Sequence, residues 1–208
     1  RSLLQTTRNG AWRMVVALDA DDPTREEYPR DPQIVYLVAD RMLLSEYWNV
    51  CYRHAAETAG PDDIFMHAGD DITFRTVDWD QIVTAAFPED GIAFVHGDDL
   101  SPNGRTLGTH GFLRREWVET LGYFVPPYFS SDCNDAWLTE VADLLGRRIY
   151  VPVVTEHHHP AFGKAEWDLT HRERLARHAA DDITAIWWAK APDRLMDAAK
   201  LRAKMANP

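Results

Sequence analysis

Short apolar runs alternate with helical stretches along this chain, and three of the runs end in clustered aspartates. Residues 12–18 (WRMVVAL), 33–38 (QIVYLV), 64–67 (IFMH), 92–96 (IAFVH) and 148–154 (RIYVPVV) are each rich in β-branched or aromatic residues. Each is bounded by Gly, Pro or Asp, so they read as buried strands. Between them, residues 46–59 predict a helix capped by Ser45 and ended by Gly60-Pro61, and 78–87 a second. Residues 114–121, ended by Gly122, and 132–145, capped by Ser131 or Asp132 and stopped at Gly146, predict two more. Residues 2–8 read as the end of a helix, and 170–205 as helical with a break near Ala191-Pro192. Pro152 pushes the last strand towards a sheet edge, because proline cannot donate to a ladder. Alternation of this kind predicts an α/β fold with a mainly parallel sheet flanked by helices. The expected organisation is one domain over 1–169 and a C-terminal helical extension over 170–208 packed on it.

The aspartates matter because open α/β sheets bind ligands at the carboxyl ends of their strands. Asp19/Asp21/Asp22, Asp70/Asp71 and Asp98/Asp99 all fall at such ends. Composition limits what they serve. The 208 residues carry 22 Lys+Arg against 33 Asp+Glu, a net charge of −11, which argues against a broad non-specific grip on nucleic acid. With 45% hydrophobic residues and eight tryptophans there is material for a core. Two cysteines make no disulfide framework, no apolar stretch nears the roughly 20 residues that span a bilayer, and the first residues form no signal peptide. The expectation is a cytoplasmic protein.

Three segments carry candidate chemistry. In His67-Ala-Gly-Asp70-Asp71 two carboxylates follow a buried strand, a way to hold Mg²⁺ or Mn²⁺ together with substrate phosphates. Glu156-His157-His158-His159-Pro160 follows the last strand; in an extended segment His157 and His159 share one side and His158 takes the other. A histidine beside paired carboxylates makes a mixed N/O site suited to Mn²⁺. Asp135 lies in the first turn of a predicted helix, where a carboxylate can act as general base or simply complement the helix dipole. His110-Gly-Phe-Leu-Arg114-Arg115 reads as a loop that closes on substrate or as a basic surface turn.

In their order and spacing these motifs resemble the GT-A glycosyltransferases, particularly compact family-2-like and phage-encoded members, over roughly residues 12–168. The acidic end of the first strand, Asp19 and Asp21, is similar to the family's nucleoside-contacting strand end, and Tyr47-Trp48-Asn49 leads into a Gly-Asp-Asp variant of its DxD motif. The resemblance implies Asp71 and Asp70 at the metal, Asp70 also near the ribose, Asp19, Asp21 and Asn49 on the donor, and His157 or His159 completing the metal site. Residues 110–115 and 121–124 resemble the acceptor-side segment, and Asp135 falls where inverting members keep their catalytic carboxylate. It also implies a further strand, ending in a Thr-Arg or Ser-Arg-like loop, ahead of these residues.

The implied activity is transfer of a sugar from a nucleotide-diphospho sugar, a UDP-sugar being favoured, to an acceptor hydroxyl with Mn²⁺ or Mg²⁺ as cofactor. A hydroxymethylated base in phage-type DNA is one such acceptor, with Arg105, Arg114, Arg115, Arg147, Arg148 and Lys164 as a local strip for phosphate contacts. Two other readings stay open: a metal-dependent hydrolase using His67, His110, His157 and His159, and a nucleotide-sugar binding module without turnover.

Overall fold

In the computed structural model, residues 1–8, 12–130 and 132–207 are described. The elements run α1 (Ser2–Thr6), β1 (Met14–Asp19), β2 (Ile34–Ala39), α2 (Leu44–Ala56), β3 (Ile64–Met66), β4 (Ile72–Phe74), α3 (Trp79–Ala86) and β5 (Phe94–Asp98). There follow β6 (Gly111–Arg114), α4 (Arg115–Leu121), α5 (Asn134–Leu145), β7 (Arg148–His157), α6 (Leu169–Ala180), α7 (Ile183–Ala189) and α8 (Ala191–Ala206). The fold is mixed α/β.

The sheet is not mainly parallel. Five strands lie in the order β3-β6-β5-β7-β4; β3/β6, β6/β5 and β7/β4 are antiparallel and β5/β7 is parallel. A separate parallel pair, β1-β2, runs in register from Met14↔Ile34 to Asp19↔Ala39. The mixed character comes from β4 and β6, two strands too short to show a period of their own. Residues 111–114, expected as a loop closing on substrate or as a basic surface turn, instead fill the position between β3 and β5. Alternation makes β6 a core strand: Phe112 and Phe94's neighbour Val95 face α3, while Leu113 and Phe94 face the helices of the other side. Gly111 is needed there, since a Cβ would stand 1.9 Å from the Phe94 ring.

Two hydrophobic clusters therefore sandwich the sheet. The smaller packs Val83, Val95, Phe112 and Val153 under α3. The larger joins Phe94, Leu113, Trp117, Trp137, Leu138 and Leu201 beneath α4, α5 and α8. Ile183, Ala198 and Leu201 belong to it, so α7 and α8 are built into this core.

β7 is an inner strand of the sheet, but around Pro152 it has a strand on one side only, β5, because β4 joins it through its last three residues. The ladder shifts register between His96 and Asp98, and the proline falls at that irregularity.

The caps differ from expectation too. Leu43 precedes α2, its N–H donating to the Glu46 carboxylate at 2.8 Å, while the Ser45 hydroxyl is buried and donates to the Phe129 carbonyl. Cys133, in the left-handed region (φ 71°), precedes α5; Asp132 is turned away into ion pairs, and Ser131 lies outside the described residues. Among the described residues no helix is long and apolar enough to cross a membrane.

Candidate metal centre

The ends of β3, β5 and β7 and the start of β6 converge on His157. Its Nε2 lies 3.0 Å from Asp71 Oδ2 and its Nδ1 3.6 Å from Asp99 Oδ2, and its ring centroid is 4.8 Å from that of His110. The backbone sets this up: the His157 N–H donates to the Asp99 carbonyl and the His158 N–H to the Asp71 carbonyl, at 3.0 and 2.8 Å. Period-two alternation then turns His158 to the opposite side, where its Nε2 is 2.9 Å from Thr73 Oγ1.

One ligand atom from each of Asp99, His110 and His157 falls within 4.8 Å of the others. Asp99 Oδ2, His157 Nδ1 and both ring nitrogens of His110 are buried without a hydrogen-bond partner. Buried polar atoms without partners are costly inside a protein, and a cation that displaces the proton of His157 would engage Asp99 Oδ2, one nitrogen of His110 and His157 Nδ1 together. Burial pushes the His110 imidazole down to about 4, with His157 beside it adding to the effect, so the ring is neutral at physiological pH. Burial acts against charge on His157 also, but Asp71 and Asp99 outweigh it and raise the ring to about 9. Burial works to raise Asp71, yet the His157 hydrogen bond and charge hold that carboxyl below its usual range; Asp99 is lowered by His157 and the Ser101 N–H and hydroxyl against the same opposition.

Of the residues expected at the metal, Asp71 and His157 are brought together. Asp70 is exposed. His159 stands beside the centre, its ring 5.1 Å from that of His157, with Nδ1 committed to the Ala161 N–H at 3.1 Å. His67 is boxed by Trp48, Phe94 and Phe124 and contributes to the core. Asp99 and His110 were not assigned to the metal in the preferred sequence reading. The signal for Asp99 was present: His96-Gly-Asp-Asp99 nearly repeats His67-Ala-Gly-Asp-Asp71.

The other expected site residues lie apart from this cluster or serve the frame. Asp19, closing β1, accepts from the Tyr47 hydroxyl and pairs with Arg41 at 2.9 Å; Asp21 lies in the turn that follows. Asn49 is fully engaged by backbone: its amide donates to the Ser45 and Val125 carbonyls, and its oxygen accepts from the Phe124 N–H at 2.7 Å. It clamps α2 to the segment before α5. Asp135 opens α5; burial raises its pKa, and the charges of Asp132 and Asp99 raise it further.

The suggested basic strip does not stand free. Arg105, Arg114, Arg115, Arg147, Arg148 and Lys164 each meet a carboxylate within 3.8 Å: Asp98, Asp62, Glu119, Asp90, Asp143 and Glu156. Arg115 also donates to the Ala56 and Ala59 carbonyls, closing the end of α2. Compared with known proteins, the chain matches no family model and no curated sequence, so its chemistry has to be read from the site itself.

Proposed function

We propose that this chain is a metal-dependent glycosyltransferase of GT-A type that moves a sugar from a nucleotide-diphospho sugar to an acceptor hydroxyl. One observation carries the reading: buried ligand atoms of Asp99, His110 and His157 without hydrogen-bond partners, with Asp71 behind His157, meet at the strand ends. A donor set of one carboxylate and two imidazoles fits Mn²⁺ better than Mg²⁺, which prefers oxygen ligands. When bound, such an ion supplies Lewis-acid stabilisation of the leaving diphosphate.

The chain's own residues have separable tasks. Asp99, His110 and His157 hold the ion, and Asp71, 3.0 Å from His157 Nε2, orients that ring. Asp135, with its pKa raised by burial, is tuned to take a proton from the acceptor hydroxyl. Asp19 closes the β1 edge of the cleft on the donor side. A small sugar or lipid-linked hydroxyl suits the acceptor better than DNA, because each proposed phosphate-contacting side chain already has a carboxylate partner.

A hydrolytic reading has one observation in its favour, the entry of His110 into the cluster. Product analysis with Mn²⁺, a panel of nucleotide sugars and hydroxyl acceptors separates the two. Transfer predicts a glycosylated acceptor, with turnover falling about 10²–10⁴-fold in Asp135→Asn while Mn²⁺ affinity stays unchanged. Release of free sugar at the same rate with and without acceptor would establish hydrolysis instead.

A further inference from the structure

Helices α7 and α8 are apolar on two sides. The inward side sends Ile183, Ala198 and Leu201 into the larger core. The outward side is apolar as well: Trp188, Leu195 and Met196 are 68%, 59% and 53% exposed. These residues are not scattered. At 3.6 residues per turn, Pro192, Leu195, Met196, Ala199 and Ala203 share one stripe along α8, and all five are exposed. Trp188 continues the same spacing one turn earlier, in α7. No charged residue falls on this stripe, although 26% of the chain is charged. A surface helix ordinarily turns its polar side to water. Here the domain covers one apolar side and leaves the other bare.

The charges border the stripe instead. By the same spacing Arg202 runs along one edge and Lys200 and Lys204, one turn apart, along the other; all three are exposed. Residues 183–206 hold five Lys and Arg against two Asp, in a chain of net charge −11. Of these aspartates, Asp197 is buried against Tyr123 and Trp137, and Asp193 meets Lys190 at 3.6 Å. The outward face is therefore basic as well as apolar. A second copy is a poor occupant, because a two-fold interface sets Lys200, Arg202 and Lys204 against their own copies. The boundary of an anionic bilayer matches both features: apolar side chains enter the acyl region while Lys and Arg reach back to the headgroups. The acidic remainder of the chain is repelled by the same surface, which sets the orientation.

We propose that the outward face of α7 and α8 docks on an anionic lipid bilayer, with Trp188, Leu195 and Met196 entering the interface and Lys200, Arg202 and Lys204 at the headgroups. This is attachment to the surface without a span, and it does not depend on the chemistry of the metal centre.

The test is co-sedimentation of the whole chain with vesicles of phosphatidylcholine, alone or mixed with phosphatidylserine. Binding is expected to the mixed vesicles and to weaken as salt rises. Exchanging Trp188, Leu195 and Met196 together for Ser is expected to reduce it about tenfold or more. Lys200→Gln with Lys204→Gln is expected to reduce it about tenfold. Val77→Ser is expected to leave it unchanged, since Val77 is 64% exposed just ahead of α3, on the opposite face of the sheet. All of the exchanged side chains are exposed, so the melting temperature is expected to hold in each variant. No binding of the wild type to the mixed vesicles, equal binding to both kinds, or equal binding of wild type and triple variant overturns the proposal. A lipid-free dimer in light scattering that the triple variant dissolves also overturns it, and assigns the stripe to a second copy.

Discussion

Two segments of nearly the same sequence end β3 and β5, His67-Ala-Gly-Asp-Asp71 and His96-Gly-Asp-Asp99, and they differ in setting. In each, the last aspartate turns towards His157 and the one before it turns away. Asp70 goes to solvent, whereas Asp98 is buried against Arg105 at 2.8 Å. Asp71 reaches the outer nitrogen of His157 from a half-exposed turn; Asp99 is 4% exposed, and one of its oxygens has no partner. On the proposed reading the β3 segment orients a metal ligand, and the β5 segment supplies one. A difference in burial, more than one in motif, separates the roles: a carboxylate left unsatisfied inside the protein has a far stronger call on a cation than one that water already solvates.

The glycines sharpen this contrast most. A Cβ at Gly97 would sit 2.1 Å from the Val153 carbonyl oxygen, which is backbone of the neighbouring strand, while one at Gly69 would meet only the Asp71 carboxylate at 2.6 Å. Gly97→Ala is expected to destabilise the fold by about 3 kcal/mol or more in urea unfolding. Gly69→Ala is expected to cost about 1 kcal/mol or less while displacing Asp71 and weakening Mn²⁺ binding. Equal losses of stability would break the distinction between a structural and a site glycine.

Next in size is the metal itself. Asp99→Asn should lower Mn²⁺ affinity about a hundredfold, Asp71→Asn about tenfold through the orientation of His157, and Asp70→Asn by less than about twofold. Calorimetric titration of the three variants checks the order, and an Asp70 effect as large as that of Asp99 would reverse the roles of the two segments.

The last effect is a pH dependence of the metal-free protein. The His157 ring is raised from its ordinary 6.5 to about 9, so its pairing with Asp71 and Asp99 stabilises the fold fully below pH 6.5 and is lost as pH rises through 9. Melting temperature should fall by about 2–4 °C for each kcal/mol so lost. In Asp99→Asn the slope over that interval should flatten, and an unchanged slope would place the titration elsewhere.

Much of the frame was legible in the sequence. β1, β2, β3, β7 and the helices α2 to α5 lie within a few residues of their expected positions, because each carries an apolar pattern with a Gly, Pro or Asp boundary. The opposed directions of His157 and His158 also followed from strand geometry. β4 and β6, three and four residues long, did not show. Gly111 makes β6 look like a loop, whereas in the strand it leaves the Phe94 ring the space a side chain would fill. Asn49 looked like a ligand contact by its position and proved to be a backbone clamp, since an amide can serve either end.

What the sequence determined by itself is local: where strands stop, which face a residue takes, and that carboxylates and histidines crowd the strand ends. Those follow from backbone sterics and periodicity, which act over a few residues. Which of the aspartates meets which histidine was decided by the tertiary structure alone. The antiparallel β6 carries His110 to His157, and the irregular β5–β7 ladder sets Asp99 opposite them. Burial then selects among chemically identical side chains, because the same carboxylate costs little in water and demands a partner once water is excluded.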